Sequence, residues 1–181
     1  MDFQLTTEDR QTCLKIVRGT LEQMFGIAHD EPPTIGEALE QVLPCFVTLT
    51  TARGDLRGCI GCLETLAPLH ENLRLYAEKA ACEDPRFRPI DARELPTLRI
   101  KVAVLGPIEP LAELESIQLG KHGLCVSYGS RRGVLLASVA VEWGWSKTEF
   151  LQQTCEKAGL NPTGLSDYTV EYFEEISFEE P

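Results

Sequence analysis

Leu56-Arg57-Gly58-Cys59-Ile60-Gly61-Cys62-Leu63-Glu64 is the stretch on which the reading of this chain turns. Two glycines bracket a cysteine, and an arginine stands two residues before it. Glycine inside a strand weakens it, and marks a bulge or a place where another backbone or a ligand comes close. In extended backbone the side chains alternate, so Leu56, Ile60 and Cys62 share one face while Arg57 and Cys59 share the other. Gly61 then leaves that second face bare. A guanidinium beside a thiol favours the thiolate, the nucleophilic form. Cys59 is therefore the candidate nucleophile and Arg57 its stabiliser and anion clamp, with Gly58 and Gly61 giving a ligand room. The competing reading makes Cys59 a small buried hydrophobe.

The neighbours place this stretch. Cys45 to Thr50 alternates and Thr51 to Asp55 carries turn chemistry, so Cys59 falls on the second strand of a β-hairpin. Pro68 opens a helix whose inner face is Leu69, Leu73, Tyr76, Ala77 and Ala80, with His70 off that face and solvent-exposed. Asp84-Pro85-Arg86-Phe87-Arg88-Pro89 cannot continue it, because proline lacks the donor and restricts its predecessor. Asp84 and Arg86 are then either an ion-paired bend or groups that orient a ligand. Thr97 to Leu105 reads as a strand with Leu98, Ile100, Val102 and Val104 inward.

Further on, Gly120-Lys121-His122-Gly123 sets a Lys-His pair between glycines. Such a loop can bring backbone donors and a titratable imidazole to a ligand, and its structural alternative is a hairpin turn. Leu124 to Tyr128 and Val134 to Val141 read as paired strands, with Arg131-Arg132 at a solvated loop tip. Glu142-Trp143-Gly144-Trp145 follows, its tryptophans read as core-edge packing in preference to a base-stacking platform. Ser146 with Glu149 is a capping box for a helix from Lys147 to Ala158, and Thr169 to Phe178 a last strand. At the start, Thr6 or Thr7 caps a helix with Leu14, Val17, Leu21, Met24 and Phe25 inward. Ile27 to Pro44 is a connector, in which His29 reads as exposed; no second histidine stands at ligand spacing.

The 181 residues suffice for one domain carrying a smaller lobe. No apolar run approaches membrane-spanning length and no basic, apolar leader opens the chain, so a soluble cytoplasmic protein is expected. The seven cysteines are odd in number and irregular in spacing, which favours reduced thiols over a disulfide framework. Cys59-Ile60-Gly61-Cys62 has redox-motif spacing, but on a strand its cysteines point to opposite faces. No set of four zinc ligands is completed, and no metal is expected. Net charge is −11 and uneven: Arg53 to Arg132 holds twelve Lys and Arg against eleven Asp and Glu, the rest five against seventeen. An acidic chain is a poor non-specific nucleic-acid binder, whereas a small anion suits the arginine-rich middle.

The Leu-Arg-Gly-Cys-Ile-Gly run, read with Phe46-Val47-Thr48-Leu49, Asp84-Pro85-Arg86-Phe87, Gly120-Lys121-His122-Gly123 and Lys157-Ala158-Gly159-Leu160, resembles the AMMECR-type domain family, the AmmeMemoRadiSam system protein A of prokaryotes. Where that family usually has Leu-Pro-Gln-Val, this chain has Leu136-Ala137-Ser138-Val139. The resemblance implies an α+β fold with a mostly antiparallel sheet flanked by helices, in two unequal lobes similar to the RAGNYA fold. It also implies a Memo-like protein and a radical SAM enzyme as partners. It supplies a scaffold and a candidate site rather than a reaction.

Two classes of function follow. In one, a cavity shared by Arg57, Cys59, Arg86 and His122 holds a small or anionic substrate, with Cys59 as nucleophile or redox group, His122 as acid or base, and Asp84, Arg86 and Glu142 orienting or binding it. In the other, the chain is a binding subunit that presents a nucleotide, peptide or RNA substrate to its partners. A solvent-reachable Cys59 favours the first, and a buried Cys59 with an exposed apolar patch the second.

Overall fold

The computed structural model describes residues 4–27, 31–161 and 168–181, so the reading of His29 lies outside the described residues. The chain forms two compact units, Met1–Leu105 with Ile176–Pro181, and Gly106–Glu175.

In the first unit, α1 (Thr7–Met24) starts at Thr6, whose hydroxyl accepts from Asp9 N while the Asp9 carboxylate accepts from Thr6 N. This reciprocal cap satisfies two otherwise orphaned donors. Cys13, Ile16, Val17, Thr20 and Leu21 form its buried face. Met24 lies on the same face but is the last residue of the helix, and at 36% exposed it is contrary to its expected place in the core. A single turn, α2 (Glu37–Glu40), leads to β1 (Cys45–Thr50) and β2 (Leu56–Gly61), followed by α3 (Leu69–Cys82) and β3 (Arg99–Leu105). β1 lies between β2 and β3, antiparallel to both, which leaves β2 at the edge. The inward row of β1 and β3, with Val47, Leu49, Ile100, Val102 and Val104, packs with α1 and with Leu69, Leu73, Ala77 and Ala80 of α3. Burying each such aliphatic side chain contributes roughly 1.5–3 kcal/mol.

In the second unit, β4 (Glu109–Pro110), β5 (His122–Tyr128) and β6 (Arg131–Leu135) precede α4 (Ala137–Glu142) and α5 (Lys147–Lys157). β7 (Thr169–Glu179) contributes its first residues here and its last, from Ile176, to the first unit. β5 pairs antiparallel with both β6 and β7. The Ser146–Glu149 capping box is present, and α5 buries Phe150, Thr154 and Cys155. The α+β class with antiparallel pairing thus holds. Two local expectations do not. The β5–β6 turn takes only Gly129 and Ser130, so Arg131 and Arg132 are strand residues facing Tyr128 and Ser127 instead of a loop tip. The strand expected to continue to Val141 stops at Leu135, and Ala137–Glu142 is helical with Ala137 and Ala140 buried three apart. A short apolar run fits both periods.

No helix among the described residues is long and apolar enough to cross a membrane.

Candidate functional site at the edge of strand β2

The β1–β2 register sets the site. Phe46 faces Gly61, Thr48 faces Cys59 and Leu49 faces Gly58, yet Thr50 faces Leu56, so Arg57 is the extra residue of a β-bulge. A bulge breaks alternation and re-aims a side chain. Arg57 is accordingly 9% exposed, and its guanidinium donates to both oxygens of Glu94, at 2.8 and 3.0 Å, and to the carbonyls of Arg88 (2.8 Å) and Pro89 (3.2 Å). Each of its three nitrogens is engaged. Arg57 fastens the Arg88–Glu94 segment to β2, and the expectation that it clamps an anion or stabilises the Cys59 thiolate is corrected.

Cys59 itself is half-buried. Thr48 Oγ1 donates to its sulfur at 3.1 Å across the strand pair. Its backbone N–H and C=O face the edge of the sheet, where β2 has no neighbouring strand. An open edge invites pairing with other chains and is commonly covered. Here the turn after α3 covers it: Asp84 Oδ2 accepts from Cys59 N at 2.8 Å, and Arg86 Nη2 donates to Cys59 O at 3.3 Å. The side chains Asp84 and Arg86 thus stand in for a partner strand.

Asp84 is the anchor. Its side chain is 2% exposed, and it accepts from Arg86 N (3.1 Å), Nε (3.0 Å) and Nη2 (2.7 Å) besides Cys59 N. The Arg86 guanidinium, with the two backbone donors adding to it, holds the carboxyl well below the usual carboxylate range. Arg86 is correspondingly held further toward its charged form, first by Asp84, with the Cys59 side chain contributing. Its own side chain stays 55% exposed, and among the described residues its Nη1 has no hydrogen-bond partner. The arginine beside the thiol is therefore Arg86.

The glycines have partners of another kind. A Cβ on Gly58 would lie 2.0 Å from Ala80 O on α3, and one on Gly61 would lie 2.3 Å from Cys45 O and 2.4 Å from the Phe46 ring. At both positions the room that the absent side chain leaves is taken by the protein itself, so the expectation that these glycines make space for a ligand is corrected. Cys62 projects with Cys45 to the α3 side, where its side chain meets Tyr76.

His122 and Glu142 belong to the second unit. His122 is 7% exposed and is the first residue of β5, so the expected loop is a strand start. Its Nδ1 accepts from Gln118 N at 3.3 Å and its ring lies 4.9 Å from that of Tyr172. Burial, then Lys121, pushes its pKa down, against Glu174. Glu142 is exposed at the end of α4. Trp145 packs at the edge of the second unit's core as expected, whereas Trp143 is 70% exposed and only stacks on it, centroids 6.0 Å apart. In the first unit His70 is half-buried, 3.5 Å from Glu40, rather than solvated. A cavity of about 520 Å³ lies against α1, lined among others by Leu14, Lys15, Gly19, Pro32, Pro33 and Arg74, and by none of the expected site residues. Among the described residues no three His, Cys, Asp or Glu side chains cluster as metal ligands do.

Sequence reasoning missed Thr48 and Glu94. Thr48 was within reach, since the hairpin sets it across from Cys59. Glu94 carries no signal of its own.

Residues 12–178 match the AMMECR1 family, and the chain belongs to it. A protein of Methanothermobacter thermautotrophicus is 41% identical over 172 residues, covering 90% of this chain and 88% of that protein. One of Thermococcus gammatolerans is 42% identical over 191 residues, covering 96% and 93%. The crystal structure of the uncharacterised protein PH0010 from Pyrococcus horikoshii superposes with a TM-score of 0.82 at 35% identity, covering 93% of this chain and 89% of that one.

Proposed function

We propose that the corner formed by Cys59, Thr48 and Arg86 binds a small anionic ligand and acts on it through the Cys59 thiol. The observation that carries this reading is the pairing of a half-buried, ordered thiol with a guanidinium that a buried aspartate orients but leaves half in water. Arg86 Nη1 meets the anion, Thr48 fixes the sulfur, and Asp84 keeps the guanidinium in register. Cys59 Sγ then bonds to a carbonyl carbon of the ligand: the thiol proton passes to solvent, the C=O π bond opens, and its electron pair goes to the oxygen, which takes up a proton from water. On this reading His122 takes no assigned part. The Memo-like protein and radical SAM enzyme implied by the family resemblance are its partners in the cytoplasm, with this domain supplying the thiol step.

The reading is tested by thermal shift with small carboxylates and phosphates. A ligand should raise Tm for the wild type and for Cys59→Ser but not for Arg86→Gln. Equal shifts in wild type and Arg86→Gln would remove Arg86 from the site.

One observation favours the binding-subunit reading: Val141 and Trp143 of the second unit are 60% and 70% exposed. Such apolar surface suits a partner protein. In that case Trp143→Ala weakens capture of a purified partner while leaving Cys59 alkylation unchanged; unaltered capture would set the reading aside.

A further inference from the structure

The second cysteine of the hairpin has no part in the proposed site, and the register gives it a different neighbour. Phe46 faces Gly61, so the next pair outward is Cys45 with Cys62, and Cys62 N donates to Cys45 O at 3.0 Å. Opposed residues of an antiparallel pair share a face. For this pair it is the α3 side: Cys45 is in the buried row with Val47 and Leu49, and the Cys62 side chain lies beside Tyr76 of α3. Cys59 lies on the opposite face with Thr48, so it is not placed to bridge to Cys62.

We infer that Cys45 and Cys62 form a dithiol that closes to a disulfide across the β1–β2 pair when the protein meets a hydroperoxide. The inference stands apart from the Cys59 reading. A hydrogen-bonded antiparallel pair holds its Cα atoms about 5.5 Å apart, inside the range of roughly 4.4–6.8 Å that a disulfide spans. Opposed Cβ atoms in such a pair are about 5.5 Å apart, and a disulfide draws them to about 4 Å. Cys62 lies just past Gly61, the last residue of β2, and is tied to β1 through its N–H to Cys45 O, so the adjustment falls on its side chain and on the free end of the strand beyond it.

Exposure sets the order of events. Cys45 is fully buried and Cys62 half-buried, so the oxidant meets Cys62 first. The Cys62 thiolate attacks one peroxide oxygen, the O–O bond breaks, and the other oxygen leaves as water or an alcohol, giving the sulfenic acid. The Cys45 sulfur then attacks the Cys62 sulfur; the S–S bond forms, the S–O bond breaks, and the oxygen departs as water with the Cys45 proton. Two thiols lose two electrons and the peroxide gains two. The bridge would pin the end of β2 three residues from Cys59.

The test uses the reduced full-length chain, treated with equimolar hydrogen peroxide, blocked with iodoacetamide and digested without reductant. Mass spectrometry should find the Cys45 and Cys62 peptides joined, about 2 Da below their sum for the two lost hydrogens, and separated by dithiothreitol. Cys59→Ser should give the same link. Cys62→Ser, at a half-buried position, should abolish it and leave Cys45 a thiol, with circular dichroism confirming the fold. Cys62 recovered as sulfinic acid beside a free Cys45, Cys62 joined to Cys59 or Cys13, or Cys62 still alkylatable after peroxide would each overturn the inference.

Discussion

Asp84→Asn probes the anchor of the β2 edge with almost no change of shape. The carboxylate accepts four hydrogen bonds, three from Arg86 and one from Cys59 N, at 2.7 to 3.1 Å, from a side chain 2% exposed. Asparagine keeps one acceptor and turns an N–H₂ toward donors it cannot satisfy. Removing one partner of a buried ion pair costs about 3–5 kcal/mol, but Arg86, at 55% exposed, recovers water, which leaves an estimate of roughly 2–3 kcal/mol. With an m-value near 2 kcal/mol/M, the urea midpoint should fall by about 1–1.5 M. Hydrogen exchange at the Cys59 amide should quicken as well, because its acceptor is lost. A midpoint within about 0.3 M of wild type, with Cys59 still protected, would refute the view that Asp84 holds the edge.

Arg57→Met should cost about 2–4 kcal/mol, since Glu94 and two carbonyls lose their donor, yet leave the charge preference of Cys59 alkylation unchanged; a changed preference would return Arg57 to the site. Gly58→Ala should cost about 3 kcal/mol or more in urea melts, because its methyl would lie 2.0 Å from a helix carbonyl, and a neutral result would contradict that packing. His122 has its folded pKa below the unfolded value of about 6.5, so the unfolded chain binds the proton first. Its contribution is whole above about pH 6.5 and falls as pH drops toward the folded pKa, so urea midpoints should decline in that window for wild type and less for His122→Phe. Parallel pH curves would rule this out.

The fold was legible where sequence pattern and local geometry agree. Thr6 with Asp9 and Ser146 with Glu149 cap helices because each device is contained within four residues. The β1–β2 hairpin was legible from alternation and turn chemistry. α4 was not, because six residues are too few to separate the two periods. At the site, alternation placed Cys59 correctly but failed for Arg57, since one inserted residue shifts every side-chain direction before it. The glycines at 58 and 61 truthfully announced a close approach. Glycine cannot say whether a ligand or the protein does the approaching, and here it is Ala80 and Phe46. Asp84 and Arg86 stood out in the sequence, and the ion-paired bend it allowed is present, but their hold on the backbone of Cys59 depends on β2 being the edge strand, a property of strand order that no local pattern carries.

The central claim, an anion-binding thiol, is tested most directly by the alkylation rates of Cys59 with iodoacetate and with iodoacetamide, which differ chiefly in charge. A guanidinium about 4 Å from the reagent carboxylate contributes about 1 kcal/mol at water-like screening, or roughly a fivefold preference. The wild-type ratio of iodoacetate to iodoacetamide rates, normalised to a free thiol at the same ionic strength, should therefore be about five, and should fall to about one in Arg86→Gln and decline with added salt. A normalised ratio of one in the wild type, or a ratio that Arg86→Gln leaves unchanged, would contradict the account.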